Sequence, residues 1–184
     1  LAEPKEDMAP DWLGSYARPA VRPLEGAYLT LRPAASGKDT IYAYRTEIYW
    51  DAGPSHLSFR ERDRLDGDYA QSGAVSVPHQ TGHIYLVTNR HGQYRMALLS
   101  RPLIRGEMFG VLVTLQTGRG SQLVPVATPL ALIPMREGMG EHPLGSIDPS
   151  HSHHATYVTI LNRATVEDFA RLLTLAAPAR PSPP

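Results

Sequence analysis

The sequence predicts a mainly β domain, in which an antiparallel meander forms a barrel or a strongly curved sheet and one helix follows at the C-terminal end. Strand-like segments follow one another closely between residues 73 and 135. The links Asn89–Gly92 and Thr117–Ser121 between them are short and contain glycine. Such links are typical of hairpins, so consecutive strands are expected to be antiparallel neighbours.

The first 25 residues are expected to form an N-terminal extension. Its first dozen residues are polar and contain proline, which is typical of a loosely ordered terminus. Asp11 is a suitable N-cap for a short helix over Trp12–Ala17, and Pro19 would end that helix. The β pattern begins at Gly26.

About eight strands are predicted after that point, and each is rich in β-branched and aromatic residues or alternates between apolar and polar positions. Prolines interrupt the last of them at three positions, so this strand is expected to lie at an edge or to bulge over part of its length. The predicted strands are Ala27–Arg32, Thr40–Trp50, His56–Arg62, Gly73–Val77, His83–Thr88, Gln93–Ser100, Met108–Gln116 and Val124–Met135.

The second predicted strand contains the row of large side chains that points to a pocket. Side chains alternate between the two faces of a strand, and the face of Tyr42, Tyr44, Thr46, Ile48 and Trp50 has the longer unbroken row of large residues. We expect that face to lie inside the sheet. Its two phenol hydroxyls and its indole N–H need polar partners, which a bound ligand or ordered water can supply.

Further polar candidates lie on neighbouring strands. His79 and His83 flank a turn, and an imidazole that titrates near neutral pH can donate and accept hydrogen bonds to a ligand. His83 and Arg95 are each at the end of a strand next to the aromatic row. No catalytic or metal-binding residue is predicted. The predicted ligand-binding residues are Tyr42, Tyr44, Trp50, His79, His83, Tyr85 and Arg95.

The C-terminal part is predicted to contain a long loop, one more strand and a helix. The glycine-rich segment Arg136–Ser152 is expected to be a loop, and Thr156–Leu161 a strand. Thr165 and Asp168 have the spacing of a capping box at the start of a helix, and Pro178 would end it. These features predict one β-rich domain over residues 26–177 and a proline-rich tail over 178–184.

Composition excludes several functional classes. Eighteen basic residues balance eighteen acidic ones, so the chain lacks the positive surplus of a domain that binds duplex DNA directly. Cysteine is absent, which removes disulfides, thiolate metal sites and cysteine nucleophiles. The chain has neither a long apolar run nor a signal-peptide pattern, so we expect a soluble, cytoplasmic protein. It begins with Leu1, so we expect a fragment of a longer polypeptide.

The histidines of the chain support an alternative interpretation of its function. Four of them lie between residues 142 and 154, and a histidine-rich tract can hold zinc, but their spacing matches no defined zinc motif. A solvated loop is the preferred interpretation, and neither a nucleophile elbow nor a phosphate loop is found. The alternative is a β-barrel enzyme or metal-dependent protein that uses His79 and His83 or these loop histidines.

Three segments carry a resemblance to a known group of proteins: Tyr44–Asp51, Val75–Pro102 and Met108–Leu132. Together they resemble the β-rich C-terminal region of proteobacterial helix-turn-helix (XRE-like) transcriptional regulators, over about residues 26–135. The resemblance implies a sensor-like domain that reaches DNA only through a separate helix-turn-helix domain, which this chain lacks. We therefore expect a non-enzymatic domain that binds an unknown small-molecule effector or dimerises. It is expected to use no cofactor and to contact no membrane, and a homodimer is left open.

Overall fold

The computed structural model describes residues 7–35, 37–138 and 140–175. Within this part of the chain, nine antiparallel strands form one sheet, and eight of them close into a barrel because the first strand pairs with both the second and the eighth. The ninth strand pairs with the start of the second, outside the closed ring. The strands are β1 (Gly26–Pro33), β2 (Ile41–Asp51), β3 (His56–Arg62), β4 (Ser72–Ser76), β5 (Ile84–Arg90), β6 (Gln93–Leu99), β7 (Met108–Thr117), β8 (Leu123–Pro134) and β9 (Gly145–Ile147).

The predicted mainly β fold with a C-terminal helix is therefore confirmed, and of the two predicted arrangements, a barrel or a strongly curved sheet, the structure has the closed barrel. The hairpin between β5 and β6 illustrates why the chain turns where it does. His91 and Gly92 both have positive φ, at 52° and 82°, as a two-residue turn of this kind requires. The side chain of Asn89 accepts a hydrogen bond from the Gly92 N–H at 3.1 Å and stabilises the turn.

The N-terminal segment closes one end of the barrel. It contains 3-10 turns at Asp11–Leu13 and Arg22–Leu24 and one short helix, α1 (Arg18–Val21). Its apolar side chains belong to the core cluster that fills the adjoining half of the barrel. Tyr16 fixes the segment in place, since its buried hydroxyl donates to the Val75 carbonyl at 2.6 Å and accepts from the Leu57 N–H at 3.0 Å.

A second core lies outside the barrel, beneath helix α2 (His154–Val166). Tyr157, Leu161 and Ala164 are buried on one face of the helix, where they contact outward-facing residues of β1, β2, β7 and β8. The spacing of these three residues is that of a helical stripe. The outward-facing strand residues that belong to this second core are Leu29, Leu31, Ile41, Ala43, Phe109 and Ala131.

Three of the predicted elements are wrong. The helix predicted over residues 12–17 is absent, and a 3-10 turn over Asp11–Leu13 stands at its start, because Gly14 at φ 106° takes the chain out of the helical region. Thr156–Leu161 is helical instead of extended, because the apolar stripe packs on the barrel. The predicted helix start at Thr165 falls at the end of α2, and Asp168 at φ 63° turns the chain away.

The prediction for the proline-containing strand is confirmed over part of its length. The first part of β8 is an edge, because its ladder with β1 covers only Ala131–Pro134, whereas its ladder with β7 begins at Leu123. Strand β9 lies within the predicted loop 136–152 and was not expected. The tail 178–184, residues 176–177 and the first six residues lie outside the described residues. No helix in the described part of the chain is long and apolar enough to cross a membrane.

Candidate ligand-binding site

The interior of the barrel has an apolar half and a polar half. The apolar half adjoins the N-terminal segment and contains Ile48, Trp50, Leu57 and Phe59. The polar half lies at the other end, where the β1–β2 and β5–β6 hairpins and the loop between β3 and β4 meet. Its buried or half-buried polar side chains include Thr30, Arg32, Tyr42, Tyr44, Thr46, Glu61, Arg64, Asp66, Thr88, Arg95 and Thr128.

Glu61 lies at the centre of the polar half. Its carboxylate forms an ion pair with Arg95 at 2.8 Å and a second, very short one with Arg64. The side chains of Glu61 and Arg64 are only 3% and 5% exposed, and that of Arg95 is 15% exposed. The N–H of Gln71 also donates to the same carboxylate at 3.1 Å. Glu61 therefore holds two strands and a loop together through one buried charge.

The loop between β3 and β4 reaches into this half through Arg64. Asp66 on the same loop binds Arg64 through both carboxylate oxygens, at 2.8 and 2.7 Å. The hydroxyl of Tyr42 donates to Asp66 at 2.5 Å. Hydrogen bonding from Arg64 lowers the pKa of Asp66 to about 2, against the opposing effect of burial. The loop is thus fastened to the barrel by charged contacts.

Two tyrosines of β2 form the wall of the site. The rings of Tyr42 and Tyr44 lie 5.3 Å apart, and the guanidinium of Arg64 lies over both, at 5.6 and 5.0 Å from the ring centres. Arg95 donates to the Tyr44 hydroxyl at 3.2 Å. Burial, followed by the nearby charge of Glu61, raises the pKa of Tyr44, so this hydroxyl stays protonated at neutral pH.

Arg32, at the end of β1, lies beside the same tyrosines. Its guanidinium is 5.0 Å from the centre of the Tyr42 ring and 5.8 Å from that of Tyr44. The residue is 9% exposed, and its Nε has no hydrogen-bond partner. One terminal nitrogen donates to the Pro33 carbonyl at the long distance of 3.4 Å.

A cavity of about 280 Å³ opens at the rim of the polar half. It lies where β6 and β7 separate, since their ladder ends at Met96 and Val113. Arg95 and Thr114 contribute to its wall, and the remaining lining residues are mostly polar. A small molecule could therefore reach the Arg95 guanidinium from the rim.

Of the seven residues predicted to bind a ligand, the structure brings together Tyr42, Tyr44 and Arg95. Trp50 is also inside the barrel, but it lies in the apolar half, where its ring meets that of Tyr16 edge-on at 6.3 Å. Tyr85 is on the outer face and lines a surface groove with Trp12. Their separation follows from the barrel geometry, because Trp50 is eight residues from Tyr42 along an extended strand.

The two turn histidines lie at the opposite end of the barrel from this site. His79 and His83 are exposed, and His79 lines a separate cavity of about 410 Å³ beside Tyr16 and Arg101. His151 and His153 have ring centres 5.7 Å apart at the start of α2. Within residues 7–35, 37–138 and 140–175, no three histidine, aspartate or glutamate side chains are placed to hold one metal ion.

The prediction missed Arg32, Glu61 and Arg64. A signal for Glu61 existed, because it continues the alternation of Leu57 and Phe59 and therefore points to the same face of β3. Arg32 stands in the same relation to Tyr28 and Thr30 of β1. Arg64 carries no such signal, since it lies in an irregular loop whose path only the tertiary structure defines.

The arrangement can bind a polar or charged small molecule, because fixed guanidinium groups and hydroxyls converge in a region screened from water. Comparison of this chain with protein-family models, with curated proteins and with solved structures finds no match.

Proposed function

We propose that this chain is a non-enzymatic domain that binds a small-molecule effector in the polar half of its barrel, as the sensing part of a cytoplasmic transcriptional regulator. The observation that carries the proposal is the buried ionic cluster of Glu61, Arg64 and Arg95 inside a closed barrel. The place of the domain in a regulator is supported by the resemblance of its strands to the C-terminal regions of helix-turn-helix regulators.

A purely structural role explains this cluster poorly. Well-packed apolar residues in place of a buried ion pair are often as stabilising or more so, because desolvation of the charges is costly. The other half of this barrel is filled with apolar side chains. Charges retained in one half only, next to a cavity at the rim, are typical of a site that recognises a ligand.

The loop between β3 and β4 supplies a route from binding to a signal. Arg64 and Asp66 hold this loop against Tyr42 and Glu61. A ligand that competes for Arg64 or Arg95 would weaken those contacts and shift the loop toward another arrangement. Such a shift requires that the ligand bind the two arrangements with different affinity.

The proposal is tested by a thermal-unfolding screen of the purified chain against a library of neutral and charged metabolites. Ligands that bind only the folded state raise the melting temperature with concentration. We expect at least one compound to stabilise the protein and to lose its effect in Arg95→Met. Arg101→Met is the matched control, because Arg101 is exposed and lies at the histidine end of the barrel.

Two outcomes would contradict the proposal. One is a complete absence of stabilising compounds; a concentration-dependent dimer in sedimentation would then favour a dimerising role without a ligand. The other is a stabilising compound whose effect survives in Arg95→Met and disappears in Arg101→Met. That result would move the site to the end that contains His79 and His83.

A further inference from the structure

The polar half of the barrel contains one more positive charge than negative charge among the described residues. Its guanidinium groups belong to Arg32, Arg64 and Arg95, and its carboxylates to Glu61 and Asp66. Glu61 pairs with Arg64 and Arg95, and Asp66 pairs with Arg64. Arg32 is therefore the group whose charge the described carboxylates leave uncompensated.

An uncompensated buried charge is unfavourable, and Arg32 cannot become neutral by losing its proton, because a guanidinium stays charged in proteins. Burial without an anion or a full set of acceptors is unfavourable for such a group. The faces of Tyr42 and Tyr44 offset part of the cost through cation–π contacts. These contacts leave the Nε–H of Arg32 without a hydrogen-bond acceptor, and the residue is only 9% exposed to solvent.

The backbone pairing between β1 and β8 also ends beside Arg32. Their ladder ends at Leu31 and Ala131 and does not extend to Arg32. Pro33 and Pro129 lie on the two strands beyond that point, and proline has no N–H with which to continue a ladder. Arg32 therefore lies where the backbone hydrogen bonds between β1 and β8 have ended.

We propose that Arg32 binds the carboxylate group of a small monoanionic organic ligand, with Tyr42 and Tyr44 flanking the contact. This inference rests on the proposed function and names its ligand class. A carboxylate fits because a guanidinium can donate two parallel hydrogen bonds to its two oxygens. A single negative charge also neutralises the surplus, whereas a phosphate dianion would replace it with an excess of the opposite sign.

The contact is tested by thermal unfolding with acetate, benzoate and octanoate, at constant ionic strength. Benzamide serves as the neutral counterpart of benzoate, and inorganic phosphate as the competing anion. We expect at least one carboxylate to raise the melting temperature of the unmodified protein. Benzamide should have no effect, and phosphate should need a concentration at least tenfold higher.

Substitutions then locate the contact. Arg32→Met keeps the apolar stem but removes the charge, and it should abolish the response while leaving the melting temperature without ligand equal or higher. Arg32→Lys keeps the charge but loses the two-pronged geometry, so binding should weaken at least tenfold. Arg45→Met is the control, because Arg45 also has an unpaired Nε but lies on the outer face of β2 and pairs with Glu47.

A measurement on the unmodified protein removes any dependence on variants that fail to fold. The Nε–H resonance of Arg32 should shift on titration with the carboxylate that stabilises the protein, and that of Arg45 should not. An unchanged Arg32 resonance, a carboxylate response that survives in Arg32→Met, or no response to any of the three carboxylates would each overturn the proposal. Equal potency of phosphate would overturn its assignment to a carboxylate.

Failure of this inference is distinguishable from failure of the proposed function. A neutral compound that stabilises the protein through Arg95, in the absence of any carboxylate effect, would support the proposed ligand-binding function and refute the role of Arg32. Absence of both responses would refute both.

Discussion

Arg95 on β6 donates a hydrogen bond across the barrel interior to the hydroxyl of Tyr44 on β2, at 3.2 Å. The two strands are not neighbours in the sheet. The same guanidinium pairs with Glu61 on β3 at 2.8 Å. Polar contacts inside the barrel therefore connect strands that backbone ladders do not join.

Replacement of Glu61 by glutamine should destabilise the protein strongly. The change leaves two buried guanidinium groups without their shared charge, for which a loss of about 3 kcal/mol in the free energy of unfolding is expected. Denaturant titration measures it. The matched control is Glu47→Gln, because Glu47 also contacts several arginines but on the solvent-facing side of β2. The control should lose about 1 kcal/mol or less. Equal losses in the two variants would show that the buried ion pairs of Glu61 contribute no more to stability than the surface ion pairs of Glu47.

Replacement of Tyr16 by phenylalanine should loosen the N-terminal segment. The hydroxyl satisfies the Val75 carbonyl and the Leu57 N–H in a buried position, and its removal should cost about 1–3 kcal/mol of unfolding free energy. Tyr94→Phe is the control, since Tyr94 is 67% exposed. Hydrogen exchange at the Leu57 amide should accelerate in the first variant only. Unchanged exchange there would argue against the anchoring role.

Asp66 should contribute a pH dependence to stability. Hydrogen bonding from Arg64 lowers its pKa from 3.8 to about 2 in the folded protein. A lowered pKa stabilises the fold above the unfolded value, and this contribution is lost as the pH falls from 3.8 toward about 2. The contribution is small, because the Asp66 side chain is 42% exposed.

Asp66→Asn tests this dependence. The variant should be less stable than the unmodified protein at about pH 5, and the difference should vanish as the pH approaches about 2. Asp63→Asn removes an exposed charge from the same loop and serves as the control. A difference in unfolding free energy that stays constant across this range would show that Asp66 does not titrate as its contacts indicate.

Helix α2 should depend on Leu161 for its attachment to the barrel. Leu161 is 3% exposed, and its replacement by alanine leaves a cavity against the outer face of the sheet. A loss of about 2–5 kcal/mol in unfolding free energy is expected. Val166→Ala, at a position that is 80% exposed, should change it by about 0.5 kcal/mol or less. Similar effects of the two changes would mean that the helix is not anchored through this face.

The chain by itself should not bind duplex DNA. Its basic and acidic residues are equal in number, so it lacks the positive surplus that neutralises phosphates. A gel-shift assay at physiological salt should show no retarded band, with a basic DNA-binding protein as the positive control. A salt-sensitive shift by this chain alone would contradict the proposal that a separate domain contacts DNA.

The sequence by itself determined the antiparallel order of the strands and the facing of β2. Short glycine-containing links force neighbouring strands to run antiparallel, and alternation along β2 assigns Tyr42 and Tyr44 to the buried face. Both signals are local, because they depend on residues within one strand or one turn. The same alternation along β3 places Glu61 on the face of Leu57 and Phe59, which is the interior face.

Only the tertiary structure decided where the helix lies and which polar groups meet. The segment Thr156–Leu161 contains β-branched residues that are typical of strands, yet it forms a helix because Tyr157, Leu161 and Ala164 bury one stripe against the barrel. Arg32, Glu61 and Arg95 are far apart along the chain and lie on three different strands. They share one space because ring closure between β1 and β8 curves the sheet around them, and that closure depends on long-range pairing that no local pattern encodes.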